Sequence, residues 1–260
     1  MQDIHLNLVE SSRQLFELDP GAVIEAGSSW LFGAGRSSHP AISNAAFRTG
    51  DLDADEFLAK AQDFFGARNR GFSVWVRGDE PGDRDLVDAA AAAGFQPVFE
   101  MPEMVLRARA EDRQMPAAVE LRQVASSADA DDYWRIATSA YADNGFPPEI
   151  FRYYEDHSGL VADNAVAFLA DLDGRPVGIA MTIVSHGVAG IYWVGSLKEA
   201  RGRGVGRAVT AAAIDAGFDL GAEIASLQAS PMGEPLYREM GFETIFAYRL
   251  LMCPSPGEAR

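Results

Sequence analysis

Residues Ala200 to Thr210 read ARGRGVGRAVT, with Gly202, Gly204 and Gly206 set among Arg201, Arg203 and Arg207 before an alanine-rich helical pattern. A glycine-rich turn leading into a helix aims backbone N–H groups and the positive end of the helix dipole, about half a charge, at one point. The glycines let the backbone approach a ligand and adopt positive φ, and the arginines reach phosphate oxygens. Taken alone the stretch fits either an anion site or a basic turn. A P-loop is excluded, because no Lys-Ser or Lys-Thr follows the glycines. A dinucleotide fingerprint fits poorly, because the loop follows three antiparallel-looking strands rather than opening a βαβ unit.

The elements around the loop are legible in the second half of the chain. VELRQV (119–124) alternates as a strand, and DADDYWRIATSAYAD follows with an acidic first turn suited to a helix start. NGFPPEIFRYYEDH then gives a turn and a second helix with Pro148 at its first position. AVAFLADLDGRPVGIAMTIVSH places two apolar runs around Asp173-Gly174, a hairpin signal, and GVAGIYWVGSL supplies a third strand. The helix from Val205 to about Leu220 carries Val205, Val209, Ala213, Ala216 and Leu220 at helical spacing, and EIASLQAS is the next strand. A helix at PLYREM and a strand at ETIFAYRLLM close the half. The order β, α, α, β, β, β, α, β, α, β predicts an α+β fold, an α/β arrangement on a mixed sheet.

Two segments share a pattern: LVDAAAAAGFQPVFEMPEMVLRA from Leu86, and GEPLYREMGFETIFAYRLLM from Gly233. Each is a helix, a Gly-Phe pair whose glycine fits a helix C′ position, and an extended run. Two halves follow, residues 1–112 and 113–260, joined through the polar stretch RAEDRQMPAA (109–118). The first half is less legible. It offers a helix at DADEFLAKAQDFF, a strand at FSVWV and a helix over 83–93; residues 1–50 fit no element clearly.

EARGRGVGRAVTAAAIDAGFDLG resembles the pyrophosphate-binding motif of the GNAT superfamily of acyl-CoA N-acyltransferases, with Arg201, Gly204 and Gly206 at its fixed positions. SPMGEPLYREMGFE is similar to the family's Leu-Tyr helix and Gly-Phe motif, and DGRPVGIAMTIV to its second-to-third-strand hairpin, so the resemblance covers 119–252. It implies acetyl-CoA as co-substrate. Val194, Gly195 and Ser196 would bond the pantetheine arm, and Arg201, Gly202, Arg203, Gly204, Val205, Gly206 and Arg207 would hold the pyrophosphate. Tyr237 would protonate the departing thiolate, as a neutral phenol can. Ser230 stands where many members carry Asn, and Ile191, Tyr192 and Trp193 stand where many carry a basic Glu. His186, Glu155 and Asp143 are the candidate bases beside a water relay. Tyr141, Asp143, Asn144 and Phe146 fall where the family walls its acceptor site, with His186 as a further substrate contact.

Setting Gly94-Phe95 on Gly241-Phe242 puts Ala90 where Tyr237 stands, and the stretch opposite the glycine loop, GDLDADEF, is acidic. Asp53 and Glu56 suit a helix cap there, not a pyrophosphate site. The first half therefore resembles a degenerate, non-catalytic copy in the tandem GNAT arrangement of some bacterial acyltransferases, completing the sheet or walling the cleft.

Composition bounds the rest. The formal charge of −16 argues against a nucleic-acid partner, and it fits either solubility alone or a field that favours cationic small molecules such as amines. No run nears the ~18 apolar residues of a membrane span, and MQDIHLNLVE is no secretory signal, so a cytoplasmic address is expected. Cys253 is the one cysteine, and His5, His39, His157 and His186 lack metal-ligand spacing, so no metal is expected. The expected activity is acetyl transfer from acetyl-CoA to a primary amine of a small molecule or peptide in a ternary complex, in a chain that a homodimer would suit. The alternative is a non-catalytic acyl-CoA-binding module.

Overall fold

The computed structural model describes residues 1–78, 80–109, 118–154 and 158–253. Its strands form one mixed sheet of eleven, β1 (Val23–Ala26), β2 (Trp30–Ala34), β3 (Asn44–Arg48), β4 (Phe72–Arg77), β5 (Gln96–Leu106), β6 (Val119–Gln123), β7 (Ala165–Leu172), β8 (Arg175–Ser185), β9 (Val188–Ser196), β10 (Ile224–Gln228) and β11 (Glu243–Cys253). Six α-helices accompany them, α1 (Gln2–Glu17), α2 (Ala54–Gly66), α3 (Arg84–Ala92), α4 (Ser127–Ala142), α5 (Val205–Asp219) and α6 (Glu234–Glu239).

The order across the sheet is β1-β2-β3-β4-β11-β5-β10-β9-β8-β7-β6. The last strand of each half lies against the other half: β11 pairs with β4, and β5 pairs with β10. β5 and β11 pair with each other at the centre over most of their length. About that central pair the connections repeat. β3 runs parallel to β4 across α2, and β9 runs parallel to β10 across α5. The expected division at 112/113 falls in the β5–β6 connection, yet neither half closes its own sheet. Of the expected linker, residues 110–117 lie outside the described residues.

Local chemistry sets most boundaries. Asp173 and Gly174, at φ 54° and 72°, make the β7–β8 hairpin turn with both central residues left-handed, the geometry that Asp-Gly favours. α3 and α6 end alike: Gly94 and Gly241 are left-handed at φ 83° and 92°, and the N–H groups of Phe95 and Phe242 reach back to the carbonyls of Ala90 and Tyr237. α4 begins with a capping box between Ser126 and Asp129.

Two expectations are corrected. The second helix is a 3₁₀ turn, Pro148–Tyr153, closed by bonds such as Ile150 N–H to the Pro147 carbonyl, because Ile150 and Phe151 are both buried within one short segment. The apolar stripe of α5 stops early, since Val205, Val209 and Ala213 are buried whereas Leu220 is exposed beyond its last turn.

Residues 1–50 hold α1, β1, β2 and β3. α1 belongs to the first half by sequence but is pinned to the second. Asn7 Nδ2 donates to the carbonyls of Ile183 and Val188 at 3.1 and 3.0 Å, and the Tyr192 hydroxyl donates to Asn7 Oδ1 at 2.9 Å. His5 lies between the Tyr248 hydroxyl and the Arg48 carbonyl, at 3.0 and 2.9 Å.

Strand exchange makes the two halves one folding unit. Met104, fully buried on β5 with β10 and β11 on either side, reports on it. Met104→Ala is expected to cost about 2–5 kcal/mol and to lower a single cooperative thermal transition. Calorimetry that resolved two transitions, only one of them shifted, would contradict the coupling.

Candidate functional site

β9 and β10 are paired only at their starts, through Val188, Ala189 and Gly190 against Ile224, Ala225 and Ser226. Beyond that the two strands have no shared register, and β9 runs on to Ser196. A bulge sharpens the divergence. Ile179 faces Gly195 and Met181 faces Tyr192, so Trp193 and Val194 together stand opposite Ala180, with Trp193 held at φ 51°. Bulges re-aim side chains and interrupt the ladder, and a left-handed aromatic residue is a costly conformation that neighbours must hold in place. Trp193 is held by the rings of Tyr141, Phe151 and Tyr154.

The glycine loop follows directly. Gly202 and Gly204 have φ of 72° and 79°, and Gly204 is the N-cap of α5, with no side chain capping the helix. The first helical bond runs from the Ala208 N–H to the Gly204 carbonyl, so the N–H groups of Val205, Gly206 and Arg207 precede the helix's own ladder. Close packing fixes the turn. A Cβ on Gly178 would stand 2.3 Å from Val205 Cγ1, one on Gly195 2.9 Å from Ala140 Cβ, and one on Gly206 3.3 Å from Leu236 Cδ2. Ser196 closes β9 opposite Gly178.

The three arginines of the loop each meet a carboxylate: Arg201 with Asp143 at 2.5 Å, Arg203 with Asp173 at 3.4 Å and Arg207 with Glu239 at 2.7 Å. Pairs this exposed are worth about 0–1 kcal/mol, so a doubly charged pyrophosphate can displace them.

Both halves line a cavity of about 210 Å³. Val194, Leu227, Gln228, Ser230 and Tyr237 come from β9, β10 and the segment through α6; Tyr141, Asn144 and Phe146 come from the end of α4 and the loop after it. The first half contributes Leu8, Ser12, Leu15 and Phe16 from α1, Phe47 from β3, Trp75 from β4, and Phe99 and Met101 from β5.

Tyr237 is 7% exposed, and burial raises its phenol above the usual range. Its ring meets Phe242 edge-on at 5.9 Å, and a Cβ on Gly233 would stand 2.8 Å from it. Ser230 accepts the Gly233 N–H through Oγ at 3.2 Å, turning into the α6 start while still lining the cavity.

Two expected contacts are elsewhere. His186 is an exposed residue of the β8–β9 turn at φ 52°, at the opposite end of β9 from Val194, about 25 Å away at ~3.3 Å per residue. Asp143 caps the end of α4 and pairs with Arg201, tethering the glycine loop and not lining the cavity. Glu155 lies outside the described residues, as does His157.

The sequence reading named neither Gln228 nor Glu103, and it expected the first half to wall the cleft without naming the residues that do so. Glu103, on β5 opposite Gln228, is fully buried; Gln228 Nε2 donates to its Oε2 at 2.6 Å, and its Oε1 has no partner. Desolvation pushes its carboxyl up to about 8. Among the described residues no group of three His, Cys, Asp or Glu is placed to hold a metal ion, and no helix is long and apolar enough to cross a membrane.

Known proteins are similar to this chain in sequence or in fold. Residues 104–230 match the family model of the acetyltransferase (GNAT) domain. The chain is 33% identical over 141 residues to the mycothiol acetyltransferase of Clavibacter sepedonicus, across 52% of this chain and 46% of that protein, so it spans about half the length of that relative. The GCN5-related N-acetyltransferase from Kribbella flavida superposes with a TM-score of 0.71 at 22% identity over 96% of each chain. A tandem GNAT protein from the clavulanic acid biosynthesis pathway superposes at 0.61 and 13% identity over 95% of each.

Glu103 and His5 set opposite limbs of the pH–stability profile. Folding raises the pKa of Glu103, so its contribution is full below about 4.5 and lost as pH rises through about 8. His5, lowered by burial to about 4, contributes fully above about 6.5, and that is lost as pH falls through 4. Glu103→Gln keeps an amide for Gln228 and is expected to flatten the fall in melting temperature between pH 5 and 9. Parallel wild-type and mutant profiles would remove Glu103 as the cause.

Residues 104–230, which hold the parting parallel strands, the bulge at Trp193 and the uncapped glycine start of α5, match the acetyltransferase (GNAT) domain model, and the chain shares its fold along nearly its whole length with these solved structures.

Proposed function

We propose that the protein is an acetyl-CoA-dependent N-acetyltransferase that passes the acetyl group directly to a primary amine in a ternary complex. The observation that carries this reading is that Val194, on β9 beyond its pairing with β10, and Tyr237 line one cavity, and that the same strand leads on through a short turn to the glycine start of α5. The pyrophosphate would lie on the N–H groups of 202–207, with Arg201, Arg203 and Arg207 leaving their carboxylates for it. The pantetheine arm would run along Val194, Gly195 and Ser196, adding the edge that β10 does not supply there. The bulge leaves backbone groups near Val194 outside the ladder, where an N–H can polarise the thioester carbonyl.

The amine nitrogen attacks the carbonyl carbon as the C–S bond breaks. Tyr237 gives its proton to the leaving sulfur and is reprotonated by the proton that the nitrogen gives up. With a neutral amine entering, this balances without a separate base. Burial serves the acid, because a phenol raised above its usual range stays protonated at every working pH.

The first half supplies structure in this reading, not a second site. The N-terminus of α2 is taken by Asp53, whose side chain accepts the N–H groups of Asp55 and Glu56, and Ala90 stands where the second half has Tyr237.

Tyr237→Phe is expected to lower kcat by about 10²–10⁴-fold with acetyl-CoA affinity nearly unchanged. Wild-type turnover would remove the phenol from the mechanism. Gly204→Val forces a β-branched residue to φ 79° at the helix start and is expected to weaken acetyl-CoA binding at least tenfold by calorimetry. Unchanged affinity would place the pyrophosphate elsewhere. Tight acetyl-CoA binding with no thiol release across a broad amine panel would favour a non-catalytic acyl-CoA-binding module.

A further inference from the structure

The cavity that meets Tyr237 has an unusual lining for a protein of net charge −16: none of the side chains around it is Lys, Arg, His, Asp or Glu. Its polar groups are neutral amides and hydroxyls: Gln228, Ser230 and Tyr237 come from β10 and the α6 segment, where the thioester is proposed to lie, and Ser12 and Asn144 from α1 and the loop after α4. The first half contributes Phe16, Phe47, Trp75 and Met101 among its lining residues. The neighbouring carboxylates are otherwise engaged. Asp143 lies outside the lining, and Glu103 is hydrogen-bonded by Gln228, fully buried and raised to about 8, so it is largely neutral at physiological pH.

We infer that the acceptor is a monoamine on an uncharged aromatic or aliphatic body, seated between the two halves with its nitrogen toward Gln228 and Tyr237. The inference rests on the acetyl-transfer reading for the chemistry but on the cavity alone for the ligand class. A charge left without a counter-ion in such a lining is costly, because desolvation is repaid only by a close partner of opposite sign. A diamine would strand its second ammonium, and an amino acid its carboxylate. Aromatic side chains grip a ring or chain by area and shape. The same desolvation favours the neutral form of the reacting nitrogen, the state that attacks a thioester. The protein's negative field raises the local concentration of ammonium ions, and each gives up its proton on entry.

The test uses three amines that present a primary amine on different bodies: 2-phenylethylamine, 1,4-diaminobutane and 4-aminobutyrate. Binding is followed by the fluorescence of Trp75 and Trp193 in the wall with CoA present, and turnover by thiol release from acetyl-CoA. Phenylethylamine is expected to bind, with kcat/KM at least about 100-fold above either of the others. Preference for the diamine or the amino acid, or no binding of phenylethylamine, overturns the ligand class. Binding of phenylethylamine without thiol release supports the class and overturns acetyl transfer instead. Met101→Asp puts a carboxylate on the first-half wall and is expected to move the preference at least tenfold toward the diamine. Should that variant fail to fold, Ser12→Asp on α1, a polar replacement on the same wall, repeats the test, and an unmoved preference in a folded variant counts against the assignment.

Discussion

The central pairing of β5 with β11 is the constraint on which the rest of the molecule depends. Each strand closes the other half's sheet, so neither half can complete its hydrogen-bonding edge alone. The exchange fixes more than stability. It carries Phe99 and Met101 on β5 into the neighbourhood of Gln228 on β10, and it sets β3 and β4 beside β11 so that Phe47 and Trp75 face the same cavity. α1 then closes the space from above, tied by Asn7 to β8 and β9 and by His5 to β11 and β3. A site on the second half's strands is thereby walled by the first half.

The pseudo-symmetry about this pair makes the difference between the halves easy to see in physical terms. α3 and α6 end with the same hydrogen bonds around Gly94 and Gly241, and β3/β4 and β9/β10 are both short parallel pairs. The helix starts differ. At α2 the Asp53 carboxylate satisfies two N–H groups and adds negative charge, which stabilises the helix and repels an anion; at α5 a left-handed glycine leaves the same groups open. One residue at the cap position thus decides whether a helix start is closed by a side chain or left with open N–H groups.

What was legible in the sequence was local. Asp173-Gly174, the Gly-Phe pairs and the glycine loop each write their backbone geometry into residue type, and all are found in the structure. What was hidden depends on contacts distant in sequence. α1 was not legible because His5, Asn7 and Ser11 are buried on it, breaking the apolar stripe; two of the three find partners on strands 43 to 243 residues away. Strand exchange leaves no trace in periodicity, since β5 and β11 look the same whichever neighbour they take. His186 stood adjacent in sequence to a site strand, but a nine-residue strand separates its two ends, and the hairpin turn places His186 at the far one. Asp143 was read as a free carboxylate because its partner Arg201 is 58 residues on.

The absence of an acidic residue at Tyr192 or Trp193 and the uncharged lining of the cavity have one physical explanation on the proposed reading. A carboxylate base in that strand would serve an ammonium substrate by accepting its proton at the site, but it would itself need hydration or a partner in a pocket built from Phe16, Phe47, Trp75 and Trp193. Glu103 illustrates the cost: placed on the neighbouring strand and fully buried, it responds by holding its proton to about pH 8. A pocket that excludes charge leaves deprotonation to the solvent outside, where the acidic surface gathers ammonium ions. On that reading the amine would cross into the cavity neutral, and the proton released on attack would have Tyr237 as its acceptor once the phenol had served the thiolate. A strand without an acidic base, an aromatic wall and a buried phenol are mutually consistent parts of one proposed proton economy.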